Sequence, residues 1–298
     1  MARLTTIVIP EPDSRLKPFA DRLEPWAQTV RTFDTPFEGA AELIERVRDA
    51  DAVLPMGGTR LDAEVLAAAR QLRYIGLGAT LFTGPHGNID LAAAEARGIR
   101  VTGVRDYGDV GVAEWVASES IRYLKREEAN RELAGARFGV IGAGAAGGLT
   151  ARTLNALGAR GRYFSRSRRE ALEADGVEYR PLADLLEECR IVSIHLPRNT
   201  SLLGGDELRR LGSGKLLVNT SVGLPVDPEA LRAWLADRSN TFAADSDGIG
   251  EMLPDAGTHP GIVYLPRSAG YTAEAAERMY AQVEGQLAAF LDEGADGS

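Results

Sequence analysis

Gly142, Gly144 and Gly147 stand in the run Arg137-Phe-Gly-Val-Ile-Gly-Ala-Gly-Ala-Ala-Gly-Gly-Leu149, between the short apolar segment Phe138 to Ile141 and a helical stretch from Ala145 to Leu157. A strand that feeds a helix through G-x-G-x-x-G makes a cradle for a pyrophosphate. The first glycine allows the tight turn, the second lets the phosphates approach the backbone, and the third lets the helix pack on the strand. The N–H groups at Ala145, Ala146 and Gly147 and the positive end of the helix dipole then face the anion. A bound dinucleotide is the expected ligand. The next strand ends in Tyr163-Phe-Ser-Arg-Ser-Arg-Arg169. An NAD-type site holds the ribose 2′-hydroxyl with an acid near the place of Ser165. Serine there removes the repulsion against a 2′-phosphate, and Arg166, Arg168 and Arg169 supply cationic donors. The spacing therefore favours NADP(H), with NAD(H) as second choice.

These residues need a parallel sheet to position them, and the chain alternates accordingly. Leu4 to Ile9, Thr29 to Phe33, Ala52 to Met56 and Arg73 to Leu77 read as strands, and Glu38 to Arg48, Ala63 to Arg70 and Leu91 to Arg97 as helices. Beyond the glycine loop come strand Arg162 to Phe164, helix Leu182 to Glu188, strands Ile191 to His195 and Leu216 to Asn219, helix Asp227 to Ala236 and strand Thr241 to Ala244. A helix from Thr272 to about Leu291 closes the chain. Strands alternating with helices imply an α/β fold with mostly parallel sheets. In Asp109 to Arg126 the apolar residues Val110, Ala113, Trp115, Val116, Ala117, Ile121 and Leu124 spread too widely for one narrow stripe, so this helix is expected to be buried on several faces.

At 298 residues the chain accommodates two domains, and its net charge of −9 argues against a nucleic-acid or anionic-membrane partner. A membrane span needs about 20 consecutive apolar residues, which no stretch approaches, and the N-terminus lacks a signal-peptide pattern. The expected location is cytoplasmic. The single cysteine, Cys189, reads as a small core residue and gives neither an internal disulfide nor a metal cluster.

Five further segments carry a resemblance. They are Asn88-Ile-Asp-Leu through Arg97-Gly-Ile-Arg-Val-Thr102, Tyr107-Gly-Asp-Val-Gly-Val-Ala-Glu-Trp115, Ile191-Val-Ser-Ile-His-Leu-Pro197, Leu217-Val-Asn-Thr-Ser221 and Ala269-Gly-Tyr-Thr272. In this order, over nearly the whole chain, they resemble the D-isomer-specific 2-hydroxyacid dehydrogenase family. The resemblance implies two Rossmann-like domains with the cofactor cleft between them. A dinucleotide-binding domain would span 104–270, and a flavodoxin-like substrate domain 1–103 plus 271–298. It implies cofactor contacts at His195, Leu196, Pro197, Thr220, Ser221, Ala269 and Gly270, and an acid at the end of a strand. In Ala244-Asp-Ser-Asp-Gly248 either Asp245 or Asp247 fills that place, with Asp245 preferred. It also implies that the loop Pro55-Met-Gly-Gly-Thr-Arg60 holds a substrate carboxylate through the backbone at Met56, Gly57 and Gly58. A homodimer built around the helix Asp109 to Arg126 is expected on the same ground.

The catalytic positions depart from that family. Where its arginine follows N-T-[AS], this chain has Val222, and where its histidine precedes [IS]-A-G it has Arg267. Glu251 keeps the place of the family's acid. Valine can neither clamp a carboxylate nor polarise a carbonyl. Arginine stays protonated at any working pH, so it is a poor general acid but a strong partner for an anion. Arg267 and Glu251 are therefore the candidate catalytic residues, expected to face each other, with Arg267 also binding substrate. His86, His195, His259, Tyr107 and Tyr271 remain as proton donors between which the sequence does not choose. Two functions follow. One is an NAD(P)H-dependent reductase of a small carboxylate-bearing carbonyl or imine, not an ordinary D-2-hydroxy acid. The alternative is a catalytically silent NADP(H)-binding sensor or scaffold.

Overall fold

The computed structural model describes residues 3–126 and 130–295, with only the backbone at Pro85 and residues 294–295. The expected domain ranges also run over 1–2, 127–129 and 296–298, which lie outside the described residues. The chain divides into two compact units, Met1–Tyr107 with Ala273–Ser298, and Gly108–Thr272.

The first unit begins β1 (Leu4–Val8), β2 (Ala27–Arg31), α1 (Gly39–Val47), β3 (Ala52–Val53), α2 (Ala63–Ala68), β4 (Tyr74–Leu77), α3 (Leu91–Ala96) and β5 (Arg100–Gly103). Its strands form one parallel sheet in the order β2-β1-β3-β4-β5. A parallel sheet is covered on both faces, so its central strands are rich in apolar residues. Leu4, Ile7, Val8, Tyr74, Ile75 and Leu77 are accordingly buried. The chain leaves β1 toward β2 on one side and returns to β3 on the other. The topological switch point of this sheet, where α/β folds bind ligands, therefore lies between β1 and β3.

The second unit holds α4 (Asp109–Leu124), β6 (Arg137–Ile141), α5 (Ala145–Ala156), β7 (Arg160–Phe164), α6 (Glu170–Ala174), β8 (Glu178–Tyr179) and α7 (Leu182–Glu188). It continues with β9 (Ile191–Ile194), α8 (Gly205–Leu211), β10 (Leu216–Asn219), α9 (Pro228–Leu235), β11 (Thr241–Asp245) and β12 (Ile262–Leu265). The sheet is parallel, in the order β12-β11-β10-β9-β6-β7-β8, with its switch point between β6 and β9. The last helix, α10 (Ala273–Ala295), belongs to the first unit, where Phe290 lies 4.9 Å from Tyr74 and Tyr280 stacks on Phe19 at 5.0 Å.

Several elements differ from the sequence reading. The expected strand Ala52 to Met56 is cut to β3. Leu54 still donates to Val8 O at 2.8 Å, but Pro55 has no N–H to continue the ladder and its carbonyl instead accepts from Gly78. The strand expected at Thr29 to Phe33 forms two residues earlier as β2, an edge strand whose alternation is weak. Lys17–Trp26 forms 3-10 helix, β5 and β12 complete their sheets at the edges, and α6, β8 and α8 are short additions that no strong periodicity marks.

Helix α4 corrects a broader expectation. Val112, Ala113, Val116, Ala117, Ser120, Tyr123 and Leu124 are buried on one wide face, but Val110 and Ile121 are 47% and 40% exposed. Small residues at 113, 117 and 120 let the neighbouring backbone approach closely, so one face suffices to bury the helix. Gly108 and Gly111 are as tight at its start. A Cβ at either would stand 2.5 Å from Gly270 O or Ala269 O, respectively.

Candidate cofactor and substrate sites

In the second unit the carboxyl ends of five adjacent strands carry the residues that the sequence singled out. Gly142 follows β6, Ser165 follows β7, His195 follows β9, Thr220 follows β10, and Asp245 ends β11. The cradle is tightly built. Gly142 has φ +94°, and its N–H donates to Phe164 O at 2.9 Å. A Cβ there would stand 2.1 Å from His195 O, and one at Gly147 would stand 2.0 Å from Gly142 O. At Gly144 a Cβ would meet nothing within 4 Å, so open space lies in front of the second glycine at the N-terminus of α5. That is the opening a pyrophosphate requires, and the residues present fit a dinucleotide.

Beside the cradle, His195 sits between two hydroxyls, with Ser193 Oγ 2.8 Å from Nε2 and Thr220 Oγ1 3.2 Å from Nδ1. Burial pushes its imidazole down to about 4, so it is neutral near pH 7 and its ring nitrogens are engaged within the protein. Leu196 N–H donates to Ser221 Oγ at 2.9 Å, tying the end of β9 to the end of β10. Pro197 O accepts from Thr200 Oγ1 at 2.6 Å.

The structure separates the two aspartates. Asp245 is buried, with Oδ1 accepting from Gly248 N–H at 2.9 Å and Oδ2 from Ala269 N–H at 2.8 Å. Asp245 thus holds the segment at Ala269 and Gly270 against the end of β11. Asp247 accepts Gly223 N–H at its backbone carbonyl, 2.8 Å away. Burial lifts the Asp245 carboxyl to about 6 against the pull of its N–H partners, with Asp247 adding to the rise.

The sequence reading missed Asn219. Its side chain is buried and donates to Gly223 O at 2.9 Å and Gly248 O at 2.7 Å, while Oδ1 accepts from Ser221 N–H at 3.1 Å. It fastens the loop after β10 to the loop after β11. The signal was a carboxamide ending the otherwise apolar strand Leu216-Leu-Val-Asn219.

The departures from the family lie on this rim. Val222 is 50% exposed, and Arg267 and Glu251 are exposed. Among the described residues Arg267 and Glu251, expected to face each other, form no ion pair. The Arg267 carbonyl accepts from Ser246 N–H at 3.3 Å, and the Glu251 carbonyl from Arg232 at 3.1 Å. The arginines after β7, Arg166, Arg168 and Arg169, are all exposed, and Arg168 is paired with Glu173 through Nε at 3.0 Å. Ser165 Oγ donates to Ser167 O. Cys189 is buried and its thiol is pushed up to about 12, which removes it as a nucleophile.

In the first unit, the loop after β3 is less free than expected. Met56 N–H donates to Glu11 Oε1 at 2.8 Å, and Thr59 Oγ1 donates to the same oxygen. Gly58 is exposed, and Asn88 Nδ2 braces the loop through Thr59 O at 2.6 Å. The substrate contact expected at Met56 N–H is therefore taken by a carboxyl of the protein itself.

Comparison with known proteins agrees with this architecture. The sequence profile for the D-isomer specific 2-hydroxyacid dehydrogenase, NAD binding domain, matches residues 111–248. Glyoxylate reductase of Korarchaeum cryptofilum is 32% identical over 277 residues, 83% of this chain and 82% of that one. Erythronate-4-phosphate dehydrogenase of Azotobacter vinelandii is 32% identical over 254 residues, 82% of this chain and 64% of its own length. A solved protein of Thermus thermophilus superposes with TM-score 0.82 at 26% identity, covering 97% of both chains. The fold of Aquifex aeolicus D-lactate dehydrogenase, solved with NAD and lactic acid, matches with TM-score 0.77 at 22% identity over 98% of this chain and 97% of that one. The chain belongs to the D-isomer-specific 2-hydroxyacid dehydrogenase family. It is an oxidoreductase with a Rossmann-like NAD-binding domain. No described helix is long and apolar enough to cross a membrane.

Proposed function

We propose that the chain is an NADPH-dependent reductase of a small carboxylate-bearing carbonyl or imine, working with a rearranged set of polar side chains. The main support is the pairing of an open glycine cradle with Val222 and Arg267 on the same strand-end rim. The dinucleotide, held by the N–H groups of Ala145, Ala146 and Gly147, supplies hydride when bound. Arg267 binds the substrate carboxylate in bidentate fashion, and Val222 gives the pocket an apolar wall that accepts a bulkier group than the family arginine would. His195 stays neutral and positions the cradle. A protonated imine already carries on nitrogen the proton that a ketone oxygen would have to receive, so hydride addition gives the neutral amine directly and such a substrate tolerates the loss of the family histidine.

The test is turnover of 2-oxo acids, cyclic imines and enoates with NADPH and with NADH. Arg267→Ala is expected to lower kcat/KM for a carboxylate-bearing substrate about 100-fold, the scale of a lost charge-assisted contact. Turnover of glyoxylate or pyruvate at a rate indifferent to that change would contradict the reading. The neutral, hydroxyl-bound His195 also favours a second reading, a silent NADP(H)-binding module. Tight cofactor binding without turnover across the panel would establish it.

NADPH is preferred because Ser165 leaves no acid at the end of β7 and Arg166 is exposed beside it. NADPH is expected to bind about 10-fold more tightly than NADH, and Arg166→Ala to remove most of that preference. Equal affinities in a fluorescence titration would refute this. The exposed Val110 and Ile121 on α4 are proposed to pair two copies of the chain, so light scattering is expected to give a dimer at micromolar concentration.

A further inference from the structure

The carboxyl end of β7 carries a closed side-chain network, all of it within the second unit. Tyr163 is fully buried in β7, and its hydroxyl donates to Glu173 Oε1 at 2.7 Å while accepting the Arg169 N–H at 2.5 Å. Glu173, on α6, also receives Arg168, whose Nε donates to Oε1 at 3.0 Å and whose Nη2 donates to Oε2. The Tyr179 ring of β8 flanks the same guanidinium at 5.5 Å and meets the Tyr163 ring edge-on, also at 5.5 Å. The turn that joins β7 to α6 is drawn in further by Ser165 Oγ donating to Ser167 O.

This pairing leaves Arg168 open on one side. Glu173 occupies the guanidinium edge formed by Nε and Nη2. The adjoining Nη1–Nη2 edge is a fork that suits a phosphate, and the side chain that carries it is 67% exposed. Glu173 is 27% exposed, and the Arg168 guanidinium and the Tyr163 hydroxyl together hold its carboxyl below the usual carboxylate range. A free surface arginine loses rotamer freedom when it captures an anion, whereas one already fixed at Nε and beside a ring loses less. Ser165, the residue after β7, occupies the place of the acid that holds a ribose 2′-hydroxyl in NAD-type sites, and Arg168 is in the same turn.

We infer that Glu173 and Tyr163 are positioning residues for the 2′-phosphate of the cofactor: they fix Arg168 so that its Nη1–Nη2 edge receives the phosphate, and they anchor the turn that carries Arg166. This rests on the NADPH preference proposed above. Glu173 shares the sign of the phosphate, yet it aids binding because it holds a cation that the phosphate then uses from another side. An acid that only masked Arg168 would have the opposite effect, so the sign of the change on neutralising Glu173 separates the two roles.

Calorimetry with 2′,5′-ADP and with 5′-AMP isolates the phosphate contact without turnover. The wild-type protein is expected to prefer 2′,5′-ADP about 10-fold. Arg168→Ala and Glu173→Gln should each weaken 2′,5′-ADP about 3- to 5-fold and keep 5′-AMP within about 2-fold, since an amide cannot accept at both positions and releases the arginine. The double variant should bind no more weakly than Arg168→Ala alone, because the acid acts through the arginine. Tyr163→Phe, which keeps the ring and removes the hydroxyl, should weaken 2′,5′-ADP about 2-fold. The inference is overturned if Glu173→Gln binds 2′,5′-ADP as well as wild type or better, if both ligands weaken together, or if the double variant loses the product of the two single losses. Arg168→Ala truncates an exposed side chain, so an undiminished preference in that variant overturns the inference even where Glu173→Gln does not fold. Equal affinities of the wild-type protein for the two ligands would remove the NADPH reading and this inference with it. A wild-type preference that survives in every variant would remove this inference alone.

Discussion

Gly142→Ala and Gly147→Ala are expected to destabilise the protein severely, whereas Gly144→Ala leaves it folded and weakens NADPH binding. At Gly142 two penalties combine. The φ of +94° is unfavourable for any residue with a Cβ, and the added carbon would stand 2.1 Å from the carbonyl of His195, at the end of a central strand. That backbone cannot retreat without breaking the β9 ladder. At Gly147 the new carbon would stand 2.0 Å from Gly142 O, driving α5 off the turn that precedes it. Overpacking and forced backbone strain each cost about 1–3 kcal/mol, so a loss of about 3 kcal/mol or more is expected, a large share of a domain's stability. Gly144 has ordinary backbone geometry, with φ −79°, and open space around its missing Cβ. A methyl group there costs the fold little and fills the room a pyrophosphate would use. Urea denaturation of the three variants beside NADPH titration of Gly144→Ala separates the effects. Unchanged NADPH affinity in Gly144→Ala would contradict the assigned cradle.

The second large effect is hidden in the wild-type protein because two groups cancel. Burial lifts Asp245 from 3.8 to about 6 and lowers His195 from 6.5 to about 4. Between pH 3.8 and about 6 the acid is protonated in the folded chain and ionised in the unfolded one, so its contribution to stability is lost as pH rises. Between about pH 4 and 6.5 the imidazole is neutral when folded and protonated when unfolded, so its contribution grows as pH rises. Each amounts to about 3 kcal/mol at about 1.4 kcal/mol per tenfold change in proton affinity. Their opposed slopes leave a nearly level wild-type profile from this pair. Asp245→Asn should expose the histidine, with stability rising by about 3 kcal/mol from pH 4 to 6.5, and His195→Gln should expose the acid, with stability falling over the same interval. Urea midpoints measured at half-unit pH steps check this, and three parallel curves would exclude it.

The parts legible in the sequence were those where local pattern and tertiary demand agree. Helix Leu182 to Glu188 and strand Leu216 to Asn219 form with the limits their residues suggest, because each buried strand is an unbroken apolar run beside an amphipathic helix. The tight turn at Gly142 and Gly147 was legible because its geometry is local. β5 and β12 were not, since edge strands such as Arg100–Gly103 carry mixed polarity and take their form from a neighbour distant in sequence. Asn219 and Glu11 escaped for a related reason. Their partners lie as far off as Gly248 and Thr59, and spacing along the chain does not report a contact across loops. On α4 the list of apolar residues does not show which face the chain itself covers: Val112, Ala113, Val116 and Ala117 are buried within it, and Val110 and Ile121 are left exposed.

The tight passage of Gly108 against Gly270, and of Gly111 against Ala269, has a meaning for how such a chain is assembled. Both ends of the second unit, Gly108 and Thr272, emerge from one clasp, and the first unit is the sequence that continues on either side of it. The second unit is thus a cassette carried inside the first, with its entry and exit side by side. A cassette joined this way can be lifted out, exchanged or circularly reconnected without opening either sheet. Carrier and cassette are then free to diverge as separate inheritances.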